Sequence, residues 1–182
     1  MFYREIDDEL RLELTMPKHA QALFEIIDRN RDFFGERFPW VEETKEVEDT
    51  LEYIKSRLEL FAKDKTLHLT IVYQEQVVGA LDFMKLNLFN KRTEIAYWLD
   101  KVHNGKGIMT RAVRELVNIG FNEYGLEKIS ISCDVTNPAS CNVAKRLGFT
   151  KEGVLRRHYL VNGIFGDYNL YSVLKDEWME KR

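Results

Sequence analysis

The stretch Tyr97-Trp98-Leu99-Asp100-Lys101-Val102-His103-Asn104-Gly105-Lys106-Gly107-Ile108-Met109-Thr110 decides how the chain is read. Residues 93–99 have the character of a strand, and Ala112, Val113, Leu116, Val117, Ile119 and Phe121 recur at helical spacing. A strand therefore feeds through a glycine-containing loop into a helix. The first N–H groups of a helix have no intrahelical partner and carry the positive end of its dipole, so a phosphate placed there finds donors and favourable charge. Gly105 and Gly107 let the backbone approach a ligand closely, and Lys106 and Arg111 add positive charge. A short G-x-G turn also occurs with no ligand, and the pattern alone leaves both readings open. The chain lacks G-x-x-x-x-G-K-[ST] and a full G-x-G-x-x-G, which disfavours a P-loop NTPase and a Rossmann dinucleotide fold.

Outward from this loop the periodicity is clean. Leu10, Leu12 and Leu14 alternate as a half-buried strand that ends at Pro17, a good first residue for a helix bearing Ala20, Leu23, Phe24 and Ile27. Val47, Leu51, Ile54, Leu58 and Phe61 lie along one face of a helix of about four turns. Residues 67–73 and 77–86 read as a hairpin around a polar turn, and residues 128–133 as a further strand. Residues 138–147 form a short helix with Asn137 as its N-cap and Gly148 as its stop. A closing hairpin, residues 154–161 and 165–174, turns at Asn162-Gly163, a pair whose tolerance of positive φ suits a tight primed turn, a longer loop being the alternative. The order is β-α-α-β-β-β-α-β-α-β-β, an α/β or α+β domain with helices packed on the faces of its sheet.

Composition narrows the class. At 182 residues, 45% apolar and 31% charged, the chain fits one globular domain spanning residues 1–182. A net charge of -3 argues against general nucleic-acid binding, and no apolar run is long enough to span a bilayer. The acidic opening MFYREIDDEL lacks the basic start and apolar middle of a secretory signal, so a cytoplasmic location is expected. Cys133 and Cys141 form no CxxC pair, and His19, His68, His103 and His158 are scattered singly, so no metal site is expected.

On these motifs the chain resembles the GNAT superfamily of acetyl-CoA-dependent N-acetyltransferases. The pyrophosphate loop of that family reads Q/R-x-x-G-x-G/A, and Asn104-Gly105-Lys106-Gly107-Ile108-Met109 occupies the pattern after a strand. Asn104 replaces Gln or Arg, and Met109 replaces Gly or Ala; neither change removes a backbone donor. The run G-K-G-I-M-T resembles the branch that acetylates N-terminal alanine or serine of ribosomal proteins. A second block, Asn137-Pro138-Ala139-Ser140-Cys141-Asn142-Val143-Ala144-Lys145-Arg146-Leu147-Gly148-Phe149, is similar to the N-x-x-S/A segment that ends in G-F in the family. The resemblance covers most of the chain and is weakest between residues 29 and 50.

What the resemblance implies is specific. The fold is a mixed, twisted sheet of about seven strands, splayed between residues 93–99 and 128–133 to admit the pantetheine arm. Acetyl-CoA is the cosubstrate, without a metal. Trp98, Leu99, Asn104, Gly105, Lys106, Gly107, Ile108, Met109, Thr110, Asn137 and Lys145 are the cofactor-binding residues. The N–H of about Leu99 steadies the oxyanion as an amine attacks. Glu94, on one strand face with Ala96 and Trp98, is the candidate base, the alternative being a surface carboxylate paired with Arg92 or Lys91. Many members protonate the departing thiolate with a tyrosine from the short helix, and here that position is Ala144. Ser140 is then the substitute, or simply a capping serine. Asn137 caps the helix and also reaches pantetheine amides. Cys141 suggests a thiol nucleophile, but no neighbouring histidine in sequence activates it, so direct transfer in a ternary complex is preferred.

Phe38 and Trp40, in an aromatic group with Phe33, Phe34 and Pro39, either grip the acceptor or cap the core. The expected acceptor is a protein N-terminus beginning with alanine or serine. A small amine such as a polyamine or an aminoglycoside, or coenzyme A binding without turnover, are the alternatives, and the family makes a homodimer an expectation.

Overall fold

The computed structural model describes residues 3–180. The chain divides into two compact units, residues 3–82 with 97–108 and residues 83–96 with 109–180. Strands β4 (Gln76–Asn87) and β5 (Arg92–Leu99) each contribute to both.

In the first unit, β1 (Tyr3–Glu5) and β2 (Leu10–Leu14) pair antiparallel, with Arg4 opposite Leu12. Strand β2 pairs in turn with β3 (Leu67–Tyr73), Leu12 opposite Ile71. Alternation buries Leu10 and Leu12 and leaves Arg11 between them half-buried. Pro17, with its fixed φ, starts a 3₁₀ turn (Pro17–His19) that runs into α1 (Ala20–Arg29). After the short helix α2 (Arg31–Gly35) comes α3 (Val47–Phe61), whose N-terminus is capped by Asp49: its Oδ2 accepts the N–H groups of Lys45 and Glu46 at 2.7 and 3.0 Å. Ala20, Leu23, Ile54 and Ala80 form one core, flanked by Leu51, Leu58 and Trp98.

The second unit contains α4 (Ile108–Asn122), β6 (Lys128–Asp134), α5 (Pro138–Arg146), β7 (Thr150–Val161), β8 (Ile164–Leu174) and α6 (Lys175–Glu180), with α4 beginning one residue earlier in the first. Ala112, Val113, Leu116 and Val117 are fully buried, which is the stripe read from the sequence. Strand β6 lies parallel to β5 and antiparallel to β8, Asp134 opposite Tyr168. The β7–β8 turn places Asn162 and Gly163 at φ 52° and 76°, the primed turn the pair suggests. Hydrogen-bonded neighbours follow the order β1-β2-β3-β4-β5-β6-β8-β7.

The sheet thus has eight strands where about seven were expected. The addition is β1, three residues long and with no alternation to read. Helices α2 and α6 also extend the expected order. Helix α6 is anchored by the buried Trp178, whose Nε1–H donates to Asn118 Oδ1 at 2.9 Å.

One glycine sets the packing beneath the candidate site. A Cβ on Gly79 in β4 would sit 2.4 Å from the Trp98 carbonyl oxygen and 3.0 Å from Leu99 Cα, so β4 and β5 approach as bare backbone. Gly79→Ala is therefore expected to destabilise the protein by about 1–3 kcal/mol. In urea the midpoint should fall with little change in slope, and a wild-type midpoint would refute the close approach.

Candidate active site

The first unit carries the anion-binding geometry. Strand β5 ends at Leu99, Asp100 follows, and a 3₁₀ turn (Lys101–His103) leads through Asn104 to Gly107 and the start of α4. Gly105 and Gly107 hold φ at 79° and 73°, in the left-handed region. A Cβ at either would meet nothing within 4 Å, so torsion rather than crowding calls for glycine. Asn104, Gly105, Lys106 and Gly107 are exposed, whereas Ile108 and Met109 are buried. The side chains of Ile108 and Met109 serve the core, and only their main chain is left for a ligand. Thr110 is half-buried. The Lys106 ammonium lies 5.9 Å from the Tyr73 ring centroid, and Lys101 lies 5.5 Å from that of Phe33.

Four aromatics gather at the end of β5. Phe38 stacks on Trp40 at 5.4 Å, Trp40 lies 6.5 Å from Trp98, and the buried Phe34 meets Trp98 edge-on at 5.5 Å. Phe38, Trp40 and Trp98 are half-buried and pack on Ile26, Ile27, Phe34 and Val41. The residues expected at the acceptor thus rest on the core while keeping part of each ring open to solvent.

The second unit carries the candidate proton-transfer groups. Asn137 Oδ1 accepts the Ser140 N–H at 3.2 Å, so asparagine is the N-cap of α5. The Ser140 hydroxyl engages the Cys133 sulfur. Cys133 and Cys141 are buried and free, with their sulfurs 3.0 Å apart. Cys141 also meets the Asp134 carbonyl and the Asn169 amide. Burial and Cys141 push the Cys133 thiol well up, while Ser140 and the Lys145 charge work the other way. A raised thiol is the opposite of an activated nucleophile. Lys145 is exposed on the last turn of α5, and Ala144 is fully buried.

Glu94 is half-buried on β5, its Oε2 3.8 Å from Lys85 Nζ. Lys91, one of the two residues expected to pair with it, lies 3.9 Å from Glu127 instead, and the Glu94 pair is formed across the β4–β5 hairpin. The Glu94 charge also reaches Tyr168, whose hydroxyl is pushed up by burial and by Asp134 and Glu94. The β5–β6 ladder runs from Arg92–Lys128 to Glu94–Ser130; among the described residues it stops there, although Ile95 and Ala96 continue one strand and Ile131 and Ser132 the other.

Sequence reasoning missed two features. Asp100 is completely buried in a polar network with Arg29 and Asn30, and Tyr159 donates to Asp134 Oδ2 at 2.7 Å. Among the described residues no three His, Cys, Asp or Glu side chains are grouped to hold a metal, and no helix is long and apolar enough to cross a membrane.

A family profile described as an acetyltransferase (GNAT) domain matches residues 9–150. The chain is 31% identical over 179 residues to the putative ribosomal N-acetyltransferase YdaF of Bacillus subtilis (strain 168), covering 98% of each. It is 28% identical over 172 residues to the ribosomal-protein-serine acetyltransferase of Escherichia coli (strain K12), covering 94% of this chain and 96% of that one. Among solved structures, RimL, a ribosomal L7/L12 α-N-protein acetyltransferase in complex with coenzyme A, superposes with a TM-score of 0.92 at 26% identity, covering 96% and 99% of the two chains. The chain belongs to the GNAT acetyltransferase family. It is an acetyl-CoA-dependent N-acetyltransferase.

The loop fits the cosubstrate, because two left-handed glycines leave its main chain open immediately before a fifteen-residue helix. Gly107→Glu, which adds torsional strain and a like charge where phosphate would lie, is expected to weaken coenzyme A binding roughly 100-fold or more. Calorimetry measures it, and unchanged affinity would remove the loop from the binding site.

Proposed function

We propose that the chain acetylates the α-amino group of a protein N-terminus beginning with serine or alanine, such as that of a ribosomal protein. Support for the acceptor class comes from likeness along nearly the whole chain to proteins described as ribosomal-protein acetyltransferases. The half-buried shelf of Phe38, Trp40 and Trp98 suits the side chains of a peptide's first residues.

The observation that carries the chemistry is the division of roles at the start of α5. Asn137 Oδ1 takes the Ser140 N–H in the capping role, and the Ser140 hydroxyl, set beside the Cys133 sulfur, is the group offered to the departing thiolate. In the proposed reaction the neutral amine attacks the thioester carbonyl, the C–N bond forms and the C–S bond breaks. The coenzyme A thiolate leaves with the electron pair, steadied by a hydrogen bond that the Ser140 hydroxyl donates, and is protonated by solvent. Glu94 receives the proton that the amine gives up, directly or through water. The main-chain N–H of Leu99 steadies the oxyanion, Asn104 to Thr110 hold the pyrophosphate, Asn137 and Lys145 contact the rest of the cofactor, and transfer is direct.

Thiol release from acetyl-CoA, measured with peptides that begin with serine or alanine and in parallel with spermidine and an aminoglycoside, tests the acceptor. Turnover confined to the peptides is expected. Preference for the small amines would replace the acceptor class, and tight coenzyme A binding with no turnover would reject catalysis. Ser140→Ala and Glu94→Gln should each lower kcat on the peptide by about 100-fold with coenzyme A affinity retained. A wild-type rate would leave Ser140 a bystander beside Cys133, or Glu94 merely the partner of Lys85.

A further inference from the structure

We infer that Asp100 is a positioning residue for coenzyme A, its buried carboxylate fixing the course of residues 101–107 as they present main-chain donors to the pyrophosphate. The inference rests on reading that loop as the pyrophosphate cradle.

Asp100 stands where β5 ends and the loop begins, and its side chain is 0% exposed. A buried carboxylate is costly unless every lone pair finds a partner. Here Oδ2 accepts a hydrogen bond from Arg29 Nη2, and Oδ1 accepts one from Asn30 Nδ2 at 3.0 Å. Both partners sit at the C-terminal end of α1, and Asn30 is itself fixed by donating to the Ile26 carbonyl at 2.8 Å. On the loop side the carboxylate accepts the Val102 N–H, and His103 Nδ1 lies 3.5 Å from Oδ2. The main chain adds two further ties: Asp100 N–H donates to the Val78 carbonyl at 2.8 Å, and His103 N–H to the Asp100 carbonyl at 2.9 Å. One side chain thereby joins α1 to the root of a loop that is otherwise exposed from Asn104 to Gly107.

Charge reinforces the geometry. Burial pushes the Asp100 carboxyl up, but hydrogen bonds from Arg29 and Asn30 and the Arg29 charge outweigh it, and the group stays below the usual carboxylate range. It remains an all-acceptor anion at neutral pH, matched to partners that donate. An amide in its place would turn N–H groups toward Arg29 or Asn30 and release the loop from its side-chain anchor. Displacement of donors by about 1 Å is enough to cost much of their value to a bound phosphate.

The test uses the full chain at a temperature well below its melting point, where loss of global stability does not alter a dissociation constant. Asp100→Asn should weaken coenzyme A about tenfold by calorimetry, and Arg29→Gln, which keeps the carboxylate, should act in the same direction by a smaller factor. In ³¹P spectra of bound coenzyme A the two pyrophosphate resonances should move while that of the 3′-phosphate stays. Wild-type affinity in either folded variant, or displacement of the 3′-phosphate resonance as well, would overturn the inference. Gly107→Glu measured alongside separates the failures. If it too binds normally, the cradle reading falls. If it abolishes binding while the Asp100 and Arg29 variants bind normally, only the positioning role falls.

Discussion

The candidate site depends on how closely the backbone of β4 can approach that of β5. At Gly79 there is no room for a side chain against the Trp98 carbonyl, and next to it the Val78 carbonyl accepts the Asp100 N–H. These two facts together fix where β5 ends. Trp98 then takes its place in the aromatic shelf, Leu99 is buried, and Asp100 enters its polar network. The following loop reaches Gly105 and Gly107 with a defined root rather than as a free tether. Backbone packing thus reaches forward to main-chain donors several residues away, because a pre-organised loop binds an anion without first being ordered.

Much of this was legible from residue spacing. The α4 stripe, the two loop glycines and the Asn137 cap rest on interactions between residues a few positions apart, and local chemistry specifies them. The features that were not legible depend on partners remote in sequence. Asp100 looks like any polar residue after a strand, and only the fold brings Arg29 and Asn30 to it. Glu94 was read beside Arg92 and Lys91, yet its partner is Lys85 across the hairpin, because strands pair side chains with the neighbouring strand. In strand β3 His68 and Thr70 are buried alongside the apolar residues, the Thr70 hydroxyl meeting that of Thr15 at 2.8 Å. The missing strand β1 is too short to carry any pattern.

The start of α5 shows how one helix terminus can hold two separate chemistries. Asn137 satisfies a main-chain donor, the ordinary duty of an N-cap, and the hydroxyl of the serine three residues later meets the Cys133 sulfur. Where many relatives of this fold carry a tyrosine, Ala144 points into the core and contributes packing alone. The hydrogen bonds give Asn137 a part in shaping the helix and set the Ser140 hydroxyl beside the Cys133 sulfur.

The paired thiols have a practical consequence. Cys133 and Cys141 are the only cysteines in the chain, both are sealed from solvent, and the surroundings of Cys133 suppress its nucleophilic thiolate form. A colorimetric disulfide reagent added to the native enzyme therefore reports liberated coenzyme A with little background from the protein. The same reagent turns into a probe of unfolding once denaturant is present, since labelling of either sulfur then waits for the chain to open. Turnover is read without denaturant and conformational integrity with it, acetyl-CoA being left out of the second assay.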